Sequence, residues 1–200
     1  MKLYHSSRTR SVRIYWLLEE LGLPYELEVV DFTLPVSPPR PFAQRSPFGK
    51  FPALEDGDVT MFESGAILEY VLERYGRGRL APAPGTPQRA AFLQWVHFAE
   101  ATAFPPIGNI AWHTFRQTAA SVPDAIADYR GWATAALDVL EKALAGRDYL
   151  LGADFSGADI MMGYTLACAK WFGMLTDAHP NVGAYLARLE ARPAFQKALG

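Results

Sequence analysis

Cysteine is almost absent from this chain of 200 residues. Cys168 is the only one, which excludes an internal disulfide, a cysteine-based metal site and a Cys-x-x-Cys redox pair. Because Cys168 lies in the apolar helical run GYTLACAKWF, we expect a buried and unreactive thiol. No metal site is predicted.

Long apolar runs and clusters of basic residues are also lacking. No stretch approaches the roughly 18 apolar residues of a membrane span, and the first residues lack the apolar core of a signal peptide. The formal net charge is −2 and the pI about 6.1, so neither nucleic acid nor a membrane is an expected partner. Since half of the residues are hydrophobic, the chain can bury a core. We expect a soluble, cytoplasmic protein.

The first part of the chain alternates strands and helices. Residues 2–5 form a predicted strand, and an amphipathic helix follows that ends at Gly22. Residues 25–32 alternate like a second strand. The proline-rich segment 33–50 is typical of a loop with a broken helix.

A hairpin and a helix complete this part. Residues 51–54 and 59–62 flank the sequence EDGD, and its Asp-Gly centre is a strong hairpin signal. An amphipathic helix is predicted from Ser64 to about Gly76. The order predicts a small mixed sheet with helices packed on it.

The composition changes at LAPAPGTP, residues 80–87, which indicates an exposed linker. From Arg89 onward no convincing strand is present. The domains are therefore predicted at 1–79 and 88–200, and the second domain is all-helical. Its apolar-periodic segments are residues 88–104, 124–146, 159–175 and 182–199.

Pro52 stands at the start of an apolar strand, where proline occurs because it cannot donate to the sheet. A cis bond between Phe51 and Pro52 would turn the backbone of Phe51 away from the sheet, towards an extended peptide-like ligand. An ordinary trans proline at a sheet edge is the alternative.

Glu63 and Ser64 lie where a helix begins. The Ser64 hydroxyl can cap this helix, and together with the first backbone amides it can bind a carboxylate. Glu63 can bind an ammonium group, so the pair suits the charged groups of a free amino acid. A plain helix cap with an acidic neighbour is the alternative.

The sequence SSRTRS, residues 6–11, links the first strand to the first helix. Hydroxyl groups, arginine and a helix N-terminus together lower the pKa of a bound thiol. The alternative is a polar connecting loop. Later in the chain, Ser156 and Asp159 have the spacing of a capping box, which we interpret as structural.

Together these features resemble a glutathione S-transferase. They are the polar loop, the Phe-Pro-Ala-Leu turn, the Glu-Ser helix start and the late Ser-x-x-Asp capping box. The similarity covers essentially the whole chain and is greatest to a bacterial and fungal branch with a hydroxyl-Arg pair before a Trp-Leu-Leu-rich first helix. The resemblance implies a thioredoxin-like first domain and an all-helical second domain.

The resemblance also implies roles for individual residues. Phe51 would pair through its backbone with the cysteinyl part of glutathione, and Pro52 would be cis. Glu63 and Ser64 would bind the γ-glutamyl end, and Lys50 is a candidate for the glycine carboxylate. The catalytic candidates are Thr9, Arg10 and Ser11, which we favour over Ser6 and Ser7.

The resemblance also implies a pocket for a second substrate between the sheet domain and the first C-terminal helices. The candidates for this electrophile pocket are Phe104, Trp112, His113 and Phe115, although core or interface packing is the alternative for each. An aromatic wall would accept apolar electrophiles broadly.

The expected function is a glutathione transferase of the detoxification type, with glutathione as co-substrate and a homodimeric assembly. It would add the thiolate to a hydrophobic electrophile or use it to reduce a peroxide. A glutathione-dependent isomerase and a non-catalytic binding module of the same fold are the alternatives.

Overall fold

The computed structural model describes residues 1–31 and 44–200. They form two compact units, one of Met1–Leu80 with Ala191–Gly200 and one of Ala81–Glu190. Most of the predicted loop and broken helix, residues 33–43, lies outside the described residues. Residues 44–50 contain turns and no helix or strand.

The first unit contains a four-stranded mixed sheet. Its strands are β1 (Lys2–His5), β2 (Glu26–Val29), β3 (Ala53–Asp56) and β4 (Val59–Phe62). Their order is β2-β1-β3-β4, with β1 and β2 parallel and the other pairs antiparallel. The predicted hairpin is confirmed, and its turn places Gly57 at φ 61°, a left-handed conformation that glycine adopts without steric cost.

Two predicted helices of the first unit are confirmed. Helix α1 (Ser11–Leu21) ends at Gly22, which has φ 61° and closes the helix with left-handed geometry. Helix α2 spans Ser64–Tyr75. The core contains Leu3 and Leu54 from the sheet, both fully buried. The sheet and the helices of the first unit together have the predicted thioredoxin-like arrangement.

The second unit is helical, as predicted. Its helices are α3 (Pro87–His97), a π-helical segment (Phe98–Ala103), α4 (Phe104–Phe115), a 3-10 turn (Ala119–Ser121), α5 (Pro123–Ala143), α6 (Gly157–Trp171) and α7 (Pro180–Glu190). Every residue of α6 from Gly157 to Ala169 is buried, including Cys168, so α6 is the central helix of this unit. No helix in residues 1–31 and 44–200 combines the length and hydropathy needed to cross a membrane.

Helix α4 is not among the helices that the sequence predicts. The sequence pattern stops near Phe104 because Pro105 and Pro106 follow. Both prolines lie in the first turn of α4, where the missing N–H groups have no partner within that helix to lose.

The C-terminal segment differs from the single helix predicted at 182–199. The chain breaks after α7 because Pro193 forces Arg192 out of the helical region, to ψ 128°. Helix α8 (Pro193–Leu199) then packs on α1, with the rings of Phe195 and Trp16 edge to face at 4.7 Å. The last ten residues thus belong to the first unit, whereas the predicted helical domain includes them.

The predicted capping box opens α6. Ser156 and Asp159 exchange the two reciprocal hydrogen bonds of this motif. Asp159 Oδ2 accepts from the Ser156 backbone N–H and from its hydroxyl, each at 2.8 Å. The motif therefore fixes the start of the central helix.

Candidate functional site

One edge of the sheet brings the three candidate segments together. Strand β3 runs antiparallel to both β1 and β4, with Ala53 opposite Tyr4 on one side and Phe62 on the other. Hence the end of β1, the start of β3 and the end of β4 lie at the same edge. The polar loop, the proline turn and the start of α2 continue directly from these strand ends.

The turn before β3 has a cis peptide bond between Phe51 and Pro52, as the resemblance implies. The Phe51 ring is buried in a cluster with Tyr4 and Ala53. Lys50 is exposed; its backbone N–H donates to the Ser46 hydroxyl at 3.1 Å. The turn therefore has a fixed backbone and an exposed ammonium group beside it.

Glu63 has a strained backbone. Its φ of 74° and ψ of 110° lie outside the regions that non-glycine residues normally occupy, and such strain concentrates at binding and catalytic sites. Its side chain is exposed. Glu63 also takes the N-cap position of α2 without a side-chain capping bond.

Ser64 is the first residue of α2, so the predicted capping role of its hydroxyl is wrong. The hydroxyl instead accepts a hydrogen bond from Arg13 Nη1 at 3.0 Å. Ser64 is 2% exposed and Arg13 is fully buried. Sequence reasoning missed Arg13 because an arginine between Val12 and Ile14 is typical of the solvent side of a helix.

The polar loop encloses a network of hydroxyl groups around Ser11. Ser11 is fully buried, and its Oγ lies 2.7 Å from Thr9 Oγ1 and 2.9 Å from His5 Nδ1. It also accepts from the Ser6 backbone N–H at 3.1 Å. Thr9 is only half-buried. Of these two candidate hydroxyls, Thr9 is thus the outer one and Ser11 the inner one.

Arg10 and the serines before it occupy different environments. Arg10 is half-buried and precedes the first residue of α1, with no side-chain capping bond. Its backbone therefore lies next to the positive end of this helix. Ser6 is buried, whereas Ser7 is exposed.

His5 is a second residue that sequence reasoning missed. It ends β1, and its ring meets the Tyr15 ring of α1 edge to face at 5.3 Å. Burial lowers its pKa from 6.5 to about 4, so the imidazole is neutral near pH 7. A neutral ring supports the Ser11 hydroxyl without adding charge to the loop.

The lowered pKa of His5 predicts a pH-dependent stability. Because the folded protein disfavours the protonated ring, this contribution is complete above pH 6.5 and is lost as the pH falls towards about 4. We expect His5→Asn, which keeps a polar atom near Nδ1 but cannot titrate, to show a shallower loss of unfolding free energy between pH 7.5 and 4.5 in urea titrations. His97→Asn, at an exposed position, is the control. Equal slopes in wild type and His5→Asn would contradict the assignment.

The predicted electrophile residues do not share one face of α4. Phe104 and Phe115 lie on the side towards α6, where Phe104 stacks on Tyr164 at 6.0 Å and Phe115 meets Phe172 at 6.1 Å. At about 100° per residue, Trp112 also falls on this side and His113 on the opposite side. His113 stacks on Tyr129 of α5 and lies 3.0 Å from Thr118 Oγ1.

Exposure further separates these four residues. Phe104 is buried, whereas Trp112 and Phe115 are 40% and 51% exposed. Gly108 lies between them, and a Cβ there would be only 3.0 Å from the Phe104 ring. Glycine at position 108 therefore leaves room for the Phe104 ring.

Comparison with known proteins identifies the family. The sequence profile of "Glutathione S-transferase, N-terminal domain" matches residues 1–73, and that of "Glutathione S-transferase, C-terminal domain" matches residues 123–188. A protein of Schizosaccharomyces pombe named Glutathione S-transferase 3 is 30% identical over 96% of this chain and 84% of its own length. The chain belongs to the glutathione S-transferase family.

Solved structures of glutathione S-transferases agree with this assignment. A sphingomonad glutathione S-transferase complexed with glutathione is 32% identical, with a TM-score of 0.83 and coverage of 100% and 97% of the two chains. A family member from Pseudomonas fluorescens with two glutathione molecules bound is 30% identical, with a TM-score of 0.87 and coverage of 99% and 91%. The bacterial and fungal branch expected from the first helix stays a prediction.

Proposed function

We propose that this glutathione S-transferase family member is a catalytically active transferase. It binds glutathione at the sheet edge described above, stabilises the thiolate and adds it to a hydrophobic electrophile. The observation that carries the proposal is the convergence of three segments at one edge: the hydroxyl-rich loop, the cis Phe51–Pro52 turn and the start of α2.

Each segment suits one part of glutathione. The backbone of Phe51 pairs with the cysteinyl residue, in the manner of an added strand. The Ser64 hydroxyl and the first amides of α2 bind the γ-glutamyl carboxylate, while Glu63 binds the adjacent ammonium group. Lys50, which is exposed beside the turn, binds the glycine carboxylate.

The thiol of the bound cysteinyl residue then lies towards the loop of residues 6–11. Thr9 donates a hydrogen bond to the thiolate, and Arg10 with the N-terminus of α1 supplies a positive field. Ser11 acts by holding Thr9, because its own hydroxyl is buried among protein groups. This assignment gives the three candidates separate roles.

The electrophile is apolar, and the site accepts a broad range of such compounds. Trp112 and Phe115 present exposed aromatic surface, and Phe104 is buried at the start of the same helix. Contacts of this kind carry little directional demand. His113 is not included because it faces α5.

Two assays separate this proposal from its alternatives. Turnover of a chlorinated nitroarene supports the transferase, and turnover of a hydroperoxide supports an additional peroxidase activity. Binding of glutathione without either activity would indicate a binding module or, if a cis-trans isomerisable substrate turns over, an isomerase. The expected homodimer is tested by a solution mass of twice 22.1 kDa; a cytoplasmic detoxification role stays a prediction.

Ser64→Ala should weaken glutathione binding by about 1–3 kcal/mol, which is roughly 5- to 150-fold in Kd, because a hydrogen bond to a charged group is lost. Isothermal titration calorimetry measures this change. Ser121→Ala, an exposed serine in the second unit, should leave Kd unchanged. An unaltered Kd for Ser64→Ala would remove Ser64 from the site.

A further inference from the structure

Arg13 is a charged side chain inside the first unit. It is fully buried and ranks among the largest buried side chains of the protein. Removing a guanidinium from water is costly unless its donors find good partners. One of these partners is the Ser64 hydroxyl, at 3.0 Å, at the start of α2. Arg13 therefore connects α1 directly to the proposed γ-glutamyl subsite.

The hydrogen bond between Arg13 and Ser64 can have only one donor, the guanidinium. A guanidinium carries five N–H donors and no acceptor, and it keeps its charge at every pH at which proteins fold. Ser64 Oγ must therefore accept from Arg13. The single hydrogen of the hydroxyl is then left for a different acceptor.

The N-terminus of α2 also favours an acceptor, and in particular an anion, beside Ser64. The first backbone N–H groups of a helix have no acceptor within it and point outward, at the positive end of the dipole. Beside them, a hydroxyl held as a donor and a buried positive charge both favour an anion. An ammonium group in this position would meet donors only.

We propose that Arg13 is a positioning residue that makes the γ-glutamyl subsite selective for a carboxylate. It acts through Ser64 and, being fully buried, does not itself touch the ligand. This inference rests on the proposed binding of glutathione at Ser64. Without Arg13 the Ser64 hydroxyl could either donate or accept, and the subsite would tolerate a ligand without the carboxylate.

The test compares two ligands across variants. One ligand is glutathione; the other is γ-aminobutyryl-cysteinyl-glycine, which lacks only the γ-glutamyl α-carboxylate. Wild type should bind glutathione at least about tenfold more tightly, because a charge-assisted bond is lost in the analogue. Arg13→Met should lose most of this ratio by weakening glutathione alone. Arg13→Lys should keep part of it, since an ammonium is also a donor without an acceptor.

Two controls separate selectivity from stability. Arg79 donates to the Leu21 carbonyl at 2.8 Å, at the other end of α1, so Arg79→Met should leave the ratio at the wild-type value. Ser64→Ala should reduce the ratio in wild type but change it little in Arg13→Met, because the two residues act as a unit. Thermal unfolding of every variant shows which ones are folded.

The outcomes distinguish failure of the inference about Arg13 from failure of the proposed function. If wild type binds neither ligand, the proposed function fails, whatever Arg13 does. If wild type binds glutathione selectively and Arg13→Met weakens both ligands equally, Arg13 is only a structural residue and the inference is rejected. Failure of both Arg13 variants to fold would also reject it, because Arg13 would then be a residue of the core.

Discussion

Replacing Thr9 by valine should lower kcat for a chlorinated nitroarene by about 100-fold or more. A single donor aimed at developing negative charge is typically worth 10²- to 10³-fold in kcat, and valine keeps the shape of threonine without its hydroxyl. Thr9 is the half-buried member of the network, 2.7 Å from the buried Ser11 hydroxyl. The Thr9 hydroxyl donates to the Ser6 carbonyl at 2.7 Å, so it would turn from this carbonyl to donate to the thiolate.

The pH dependence of kcat/KM shows in which direction the pKa of the bound thiol shifts. An unperturbed thiol has a pKa near 8.5, and a hydrogen bond to the thiolate lowers it. Loss of the Thr9 hydroxyl should therefore move the ionisation seen in the rate profile to higher pH. Arg10→Ala should move it in the same direction, since a positive charge is removed. If only KM changed in Arg10→Ala, Arg10 would bind glutathione and would not activate it.

Ser7→Ala is the matched control for the loop. Ser7 is exposed and two residues from Thr9, so its loss should change kcat less than threefold. A large loss in Ser7→Ala with normal activity in Thr9→Val would place the sulfur on the other side of the loop. Unfolding temperatures of all three variants show whether a loss of activity reflects the site or the fold.

The local elements of the first unit could be predicted because their signals are local. Gly22 marks the end of α1, and the Asp-Gly pair marks the hairpin. The register of the strands, in contrast, has no local signal in the sequence. The pairing of Ala53 with both Tyr4 and Phe62 decides which loops meet, and register depends on contacts between distant residues.

The two buried polar residues of the site were missed for one reason. Helical periodicity places Arg13 towards solvent, but the start of α1 is enclosed, with four consecutive residues from Ser11 to Ile14 buried. His5 ends a strand in which Leu3, Tyr4 and His5 are all buried, and its partner Ser11 is known only once α1 is docked. Tertiary packing overrode the local pattern in both cases.

The position of the C-terminal helix could not be predicted for a related reason. Pro193 marks the break before α8, but the sequence around it does not show where the helix docks. Arg192 forms a bidentate ion pair with Glu20, which lies 172 positions earlier in the sequence. The distances are 2.7 Å from Nε to Oε1 and 2.8 Å from Nη2 to Oε2. Together with the contact between Phe195 and Trp16, this pair fixes α8 on α1.

Asp159→Ala should destabilise the protein by at least about 3 kcal/mol. Asp159 is fully buried, and four donors converge on its carboxylate: the Leu150 N–H at 2.9 Å, the Tyr185 hydroxyl at 2.7 Å, and both the N–H and the hydroxyl of Ser156. Alanine would leave these donors buried without their acceptor, at about 1–3 kcal/mol each where no other partner or water compensates. The capping box at the start of α6 would also lose the bond made by the Asp159 side chain.

The size of this effect can be tested against graded controls. In a protein of this length, 3 kcal/mol corresponds to a decrease of about 6–12 °C in Tm. Tyr185→Phe removes one of the four donors and leaves the other three bonds intact, so it should cost only about 1 kcal/mol. Asp154→Ala, at an exposed position just before the capping box, should stay within about 0.5 kcal/mol of wild type. If Asp159→Ala were no less stable than Tyr185→Phe, the carboxylate would not hold α6 in place.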